Sequence, residues 1–304
     1  MKRGAMIDFD EPPRIRSSRM TGKLIDLHAH TNHSDGSATP PELIELAKLN
    51  GASAVAITDH DTVSGLEDGR VAAENLGIEF INGMELSAEY SPGTMHILGY
   101  YVDDQNEELT ASLEELRAAR KARNPEIANR LQALGFDVRY AEVAAVAGND
   151  VVGRPHFARV LVDKGYAASI QDAFNRFLAK GAAAYVEKRR LSPADSIALI
   201  HEAGGVAVLA HPYQLRLSPE ALETLVSQLV EMGLDGIEAL YSRHSLADRE
   251  RYATLARRHR LLVTGGSDYH GTYKPDISIV KGLGDLAVPY SVLEGLRSKS
   301  AYAR

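Results

Sequence analysis

Cysteine is absent from the 304-residue chain, so it has no disulfide framework, thiolate metal site or thiol nucleophile. Any metal must sit in histidine and carboxylate ligands. An excess of basic charge is also missing: 34 Lys+Arg stand against 41 Asp+Glu, a formal charge of −7. That balance argues against sequence-independent nucleic-acid binding through a broad basic face. It leaves room for a small phosphorylated substrate drawn to bound cations. There is no apolar run of about 18 residues, so no transmembrane helix is predicted. The opening MKRGAMIDFDEPPRIRSSRM has a basic start with no apolar stretch after it and does not read as a signal peptide. A cytoplasmic location is expected. Residues 1–21, with Pro12, Pro13 and four arginines, lack periodicity and are expected to form a flexible tail.

Hydrophobic residues at 44% and charged residues at 25% are ordinary globular values. From Lys23 onward short apolar runs alternate with helical segments. Strands are predicted at Leu24–Leu27, Ala54–Thr58, Ile78–Ile81, Met95–Val102, Val206–Ala210, Gly236–Leu240 and Leu261–Thr264. Between them, Thr39-Pro40-Pro41-Glu42 reads as a capping box with proline in the first turn, and Ser192-Pro193 opens another helix. Further helices are expected at Ser64–Asn75, Pro219–Met232 and Leu246–His259. Such alternation predicts an α/β fold on a parallel sheet, open or closed into a barrel. Residues from about 106 to 180 break the pattern. Helical spacing there predicts Asn106–Leu134, Tyr140–Val146, Pro155–Lys164 and Ile170–Lys180, an all-helical insertion between the fourth and fifth strands. The expected units are a barrel domain of residues 22–104 and 191–304 and an insertion domain of residues 105–190.

The chemically interesting side chains collect where the predicted strands end, the edge at which parallel α/β folds bind ligands. The first strand ends in Asp26-Leu27-His28-Ala29-His30. Residues i and i+2 of a strand face one side, so His28 and His30 can share one ion. Asp35 follows in the turn Ser34-Asp35-Gly36, and the second strand ends in Thr58-Asp59-His60-Asp61. Glu85 closes the third, His96 lies in the fourth, His211 ends the fifth, and the last ends in Asp268-Tyr269-His270, a second i, i+2 pair. Concentrating so much polarity at one edge is costly without cations to coordinate. A multinuclear metal site is predicted.

LIDLHAHTNHSDG, AITDHD, GMELS, MHILGYYV, VLAHP and GGSDYH, in this order, resemble the successive motifs of the polymerase-and-histidinol-phosphatase (PHP) family. The resemblance implies metal-dependent phosphoesterase activity on a distorted seven-stranded (β/α)7 barrel. It implies that His28, His30 and Asp268 hold one metal, that Glu85 bridges to a second held with His96 and His211, and that Asp35, His60 and His270 hold a third. Glu85, Asp268 and His211 are the residues expected to carry catalysis. His33 falls off the pattern and reads as a turn residue. Asp59 and Asp61 are placed to orient ligands rather than to bind metal, and His201 and His259 read as structural. Paired ions about 3.5–4 Å apart would acidify a bridging water and clamp the phosphoryl oxygens, the attacking species being a metal-bridging hydroxide. His/carboxylate ligation suits Mn²⁺, Zn²⁺ or Fe²⁺ better than Mg²⁺.

In the insertion, Gly153-Arg154-Pro155-His156-Phe157 places an arginine and a histidine at a helix N-terminus, where a guanidinium fork and free N–H groups suit phosphate. Tyr241-Ser242-Arg243-His244-Ser245 follows the sixth strand. Both segments resemble those of the PHP subgroup that hydrolyses 3′,5′-bisphosphorylated nucleotides and trims short RNA from its 5′ end, which implies Arg154, His156 and His244 as substrate contacts. Arg123-Asn124-Pro125 reads as a helix break on a solvated face, and Lys274 is not assigned to the substrate. The expected partner is a nucleotide or short oligonucleotide, with neither extended duplex nor membrane. Rival readings are a phosphatase for another small monoester such as histidinol phosphate, an amidohydrolase-type C–N hydrolase, and a metal-binding module of structural or regulatory role.

Overall fold

The computed structural model describes residues 22–148 and 152–300. The tail expected at residues 1–21 lies outside them. Eight strands form one sheet among the described residues: β1 (Leu24–Asp26), β2 (Ala52–Ile57), β3 (Glu79–Ala88), β4 (Met95–Tyr100), β5 (Val206–Leu209), β6 (Gly236–Tyr241), β7 (Leu262–Gly266) and β8 (Val288–Pro289). Their order is β7-β6-β5-β4-β3-β2-β1-β8. The sheet curls until its ends meet. Leu27 N–H donates to Gly265 O at 3.3 Å, and Ala29 bridges Tyr269 in parallel. The result is a nearly closed α/β barrel.

Two departures from the expected architecture stand out. A two-residue strand, β8, pairs antiparallel with β1, giving eight strands where seven were predicted. The sheet is also mixed, because β4 runs antiparallel to both β3 and β5. Only six residues, 89–94, join β3 to β4, and a parallel connection needs about a dozen or more.

The strands read as near-continuous apolar runs because both faces are covered. Along β2, Ala54 and Ala56 point into the barrel while Val55 and Ile57 pack outward. Small side chains thus face the crowded interior. Outside lie α1 (Pro40–Leu49), α2 (Leu66–Leu76), α7 (Pro193–Glu202), α8 (Pro219–Glu231), α9 (Leu246–Arg258) and α10 (Val292–Lys299). The capping box of α1 forms as read: Glu42 N–H donates to Thr39 Oγ1, and Glu42 Oε2 accepts from Thr39 N–H at 2.7 Å. Ser192 and Ser218 cap α7 and α8 through hydroxyls that accept the Asp195 and Ala221 N–H groups, each serine being followed by proline.

Between β4 and α7 lie α3 (Glu107–Ala133), α4 (Tyr140–Ala147), α5 (Arg154–Asp163) and α6 (Ile170–Ala173), the last running into a π-turn at Phe174–Leu178. These pack around a separate apolar cluster that includes Ile127, Leu131, Phe157, Leu161 and Leu178. Helix α3 continues unbroken through Pro125, where the sequence reads as a break.

Candidate metal centre and substrate cavity

Strand direction explains why one edge of the barrel carries so many ligand-type side chains. β1, β2, β3, β5 and β7 all end there, which brings in His28, His30, His60, Glu85, His211, Asp268 and His270. His96 reaches the same edge from the start of β4, because β4 runs the opposite way and pairs His96 with Ser87. Two of these positions, and Asp61 beside His60, hold backbone that L residues rarely adopt. His211, Asp268 and Asp61 have φ of 24°, 57° and 53°, the kind of strain that surrounding structure sustains at functional sites.

The ligand-type atoms fall into four overlapping groups: His28, His30 and Asp268; His28, Glu85 and His211; His60, Glu85 and His96; and His30, Asp35, His60 and His270. The trio expected around the second ion is split. His96 Nδ1 and His211 Nε2 approach Glu85 Oε1 at 2.8 and 2.9 Å, but His96 groups with His60 and His211 with His28. His30 joins the group expected around the third ion through Nδ1, 3.6 Å from Asp35.

The arrangement fits divalent cations. The Nδ1 atoms of His60 and His96 are buried 3.1 and 2.8 Å from Glu85 oxygens, yet neither makes a hydrogen bond. His28 Nε2 and His30 Nε2 lie 3.1 Å apart. Nitrogens and oxygens that converge without hydrogen-bond geometry are arranged as for a shared cation. Tautomers are set from behind: His28 Nδ1 donates to Glu238 at 2.9 Å and His270 Nδ1 to the Asp268 carbonyl at 2.9 Å, leaving each Nε2 facing the site. Burial lowers the His28 basicity, but Glu238, Glu85 and Asp268 outweigh it and raise it well above the ordinary histidine value. Burial likewise pushes Glu85 up, and His60, His96 and His28 hold it well below the carboxylate range. The site is a strong negative field that calls for positive charge.

Glycine at two points lets the chain approach this closely. A Cβ on Gly266 would stand 2.3 Å from His28 N, and one on Gly36 would stand 2.2 Å from His30 O.

The remaining expectations divide. Asp59 shapes the turn after β1 by accepting from Thr31 N–H at 2.8 Å and Ser34 Oγ at 2.5 Å. His33 is a turn residue with Nδ1 2.9 Å from Ser64 Oγ. His201 pairs with Asp235 at 2.8 Å, away from the edge. Arg154 stands in the cavity wall between the rings of Phe174 and Tyr185, with its guanidinium 5.6 and 5.5 Å from their centres, and donates to Leu178 O at 3.0 Å. His156 and His244 are buried and do not line the cavity. His156 Nδ1 accepts the Gly153 N–H at 2.9 Å and so caps α5. His244 Nδ1 donates to Ala239 O at 2.9 Å, its ring lying against Tyr213, Tyr241 and Tyr252.

Of the solvated face expected at Arg123-Asn124-Pro125, only Pro125 is exposed. Asn124 is 1% exposed and donates to Val152 O at 2.8 Å, while Arg123 lines the cavity and burial lowers its pKa to about 9. Lys274 binds Asp268 Oδ2 at 2.6 Å, as does the Tyr241 hydroxyl, which turns Oδ1 toward His28 and His30. Sequence reading missed Glu238, Arg120, Lys188 and Arg190. Glu238 had a signal, an acid inside the apolar run Gly236–Leu240. Arg120 and Lys188 had none, since their partner Asp61 is distant in sequence, and Arg190 ion-pairs with the nearby Glu187, which marks no site.

A cavity of about 1140 Å³ opens over the edge, lined by the ligand-type residues Asp35, His60, Glu85, His96 and Asp268 and by the cations Arg120, Arg123, Arg154, Lys188 and Arg190. Anionic metal ligands and cationic side chains share one cavity. Among the described residues no helix is long and apolar enough to cross a membrane.

Comparisons with known proteins agree with this geometry. The PHP domain profile matches residues 26–187. The 3′,5′-nucleoside bisphosphate phosphatase of Chromobacterium violaceum is 36% identical over 247 residues, which cover 81% of this chain and 87% of that protein. The 5′-3′ exoribonuclease Rnm of Escherichia coli is 34% identical over 249 residues, covering 81% and 85%. The crystal structure of a Bifidobacterium adolescentis protein, provisionally described as a metal-dependent phosphoesterase, matches with a TM-score of 0.82 at 34% identity, covering 92% of this chain and 97% of that one. The chain belongs to the PHP family and is a metal-dependent phosphoesterase.

Proposed function

We propose that the enzyme releases phosphate from a nucleotide 3′,5′-bisphosphate or from a short 5′-phosphorylated oligonucleotide. The single observation that carries this reading is the set of cations that line the cavity beside the metal-ligand edge. One phosphate monoester at the metals leaves Arg123 and Arg154 without a carboxylate partner among the described residues, whereas a second phosphate in the cavity would meet them. The names of the similar phosphatase and exoribonuclease support the same substrate class.

His28, His30, Asp35, His60, Glu85, His96, His211, Asp268 and His270 would hold two to three divalent ions, manganese first, with zinc or iron as alternatives. When bound, such ions activate water and neutralise phosphoryl oxygens. Glu238, Tyr241 and Lys274 keep the ligands oriented. Arg154 is held by the rings of Phe174 and Tyr185, so its fork is fixed before substrate arrives. The helical segment, residues 105–190, is proposed as a domain of its own, covering a barrel domain of residues 22–104 and 191–304. Its separate apolar cluster supports that division.

The test is phosphate release by Mn²⁺-reconstituted protein on adenosine 3′,5′-bisphosphate, 5′-AMP, 3′-AMP, histidinol phosphate and a short 5′-phosphorylated RNA. Preference for the bisphosphate or the RNA is expected, with Arg154→Ala raising KM about tenfold, roughly the loss of one charge-assisted hydrogen bond. Equal low rates on all substrates, or preference for histidinol phosphate, would sink the assignment.

A further inference from the structure

Among the described residues, Asp61 is the only carboxylate that both ends of the helical segment reach. The chain leaves the barrel through α3, whose Arg120 ion-pairs with Asp61 Oδ2, and returns through the stretch before α7, whose Lys188 Nζ binds the same oxygen at 2.9 Å. Asp61 Oδ1 accepts the Ser87 N–H at 2.9 Å, and Lys188 donates a second bond to Ser87 Oγ at 2.7 Å. All three charged side chains are nearly buried, Arg120 at 10%, Lys188 at 13% and Asp61 at 5% exposure. Asp61 follows His60 and Ser87 follows Glu85 by two residues, so the cluster lies in the wall of the metal edge. Arg120 and Lys188 both line the cavity.

Two cations drawn out of water and facing each other repel unless a carboxylate sits between them. Asp61 supplies it, at a left-handed φ of 53° that costs about 1 kcal/mol or more. We propose that Asp61 is a positioning residue that latches both ends of the helical segment to the metal edge and aims Arg120 and Lys188 at the anionic part of the substrate. The claim about the substrate rests on the phosphoesterase reading above. The claim about the latch does not.

The experiment compares the Mn²⁺-loaded full chain with Asp61→Asn and with the double variant Arg120→Gln/Lys188→Gln. Three readouts are taken: Mn²⁺ affinity by calorimetry, the KM and kcat for adenosine 3′,5′-bisphosphate, and amide hydrogen exchange. Asp61→Asn is expected to keep Mn²⁺ affinity within about twofold, equivalent to less than about 0.5 kcal/mol. Its KM should rise about tenfold with kcat within threefold, and exchange should speed up around residues 115–125 and 183–190. The double variant should reproduce these changes, and adding Asp61→Asn to it should change nothing further. Wild-type exchange in Asp61→Asn would overturn the latch. Loss of Mn²⁺ with a fall in kcat would overturn the assignment by making Asp61 a support of His60 instead. If the bisphosphate is not hydrolysed at all, the substrate reading fails while exchange still decides the latch.

Discussion

The His28 ring donates to Glu238 at 2.9 Å, and the other oxygen of that carboxylate accepts the His211 backbone N–H at 2.8 Å. One side chain, buried in β6, thereby holds two residues at the metal edge. Partners of this kind affect metal affinity nearly as much as the ligands do. Glu238→Gln is expected to weaken Mn²⁺ binding by about 10–100-fold while kcat at saturating metal changes little. Metal titration of variant and wild type checks this, and unchanged affinity would remove Glu238 from the site.

Crowding six histidines with Glu85, Asp35 and Asp268 is destabilising until cations neutralise it. Excess Mn²⁺ should therefore raise the unfolding temperature. At about 100 times the dissociation constant the gain is about 2.7 kcal/mol, or about 5 °C and upward for a chain of this size. Thermal unfolding with Mn²⁺ and with chelator measures it. Identical curves would deny a metal site at this edge.

Burial lowers the pKa of Lys188 to about 7, an effect that Asp61 only partly offsets and that Arg120 and Arg190 add to. An unfolded lysine titrates near 10.4, so between these values the unfolded chain binds more protons and stability from this group rises with pH. Wild type should gain about 2 kcal/mol more than Lys188→Met between pH 7 and 9. Urea midpoints at the two pH values give the difference, and parallel shifts in both proteins would show that Lys188 titrates normally.

Gly266 touches the β1 backbone so closely that a methyl group has nowhere to go, and the obstruction is main chain. Gly266→Ala should cost about 3 kcal/mol and abolish Mn²⁺ binding through His28. Gly22→Ala, with nothing within 4 Å of the added carbon, is the control. Equal stability of both variants would show that β7 and β1 can separate at no cost.

The sequence makes the metal edge legible because its signals are local. The i, i+2 histidine pair at His28 and His30, the second pair at Asp268 and His270, and acids at predicted strand ends all lie within a few residues of one another. Helix starts are legible for the same reason, since Thr39 and Ser192 cap helices a single turn away. The direction of β4 is not legible, because the third strand reads as the short run Ile78–Ile81 and only its extension to Ala88 shortens the connection to six residues. The Asp61 cluster is invisible because Arg120 lies 59 residues from Asp61 and Lys188 lies 127 residues away. Arg123 and Asn124 read as solvated because a polar stretch of helix gives no sign of what will pack against it. His156 sits in a phosphate-binding pattern, yet its Nδ1 caps the helix it opens.

The helical segment departs after β4 and returns at Leu191, which bridges Ala88 beside the start of β4, before α7 leads on to β5. Its two attachment points are therefore fixed by the barrel at the two ends of one strand whatever is built between them, and a loop's closure entropy grows only slowly with its length. Because it also packs around apolar residues of its own, it can be lengthened, trimmed or exchanged over evolutionary time with little disturbance to the barrel. On the proposed reading, reaction chemistry and molecular selectivity sit on separable pieces of chain, so a related enzyme would acquire a new substrate by rebuilding the cover and leaving the furnace untouched.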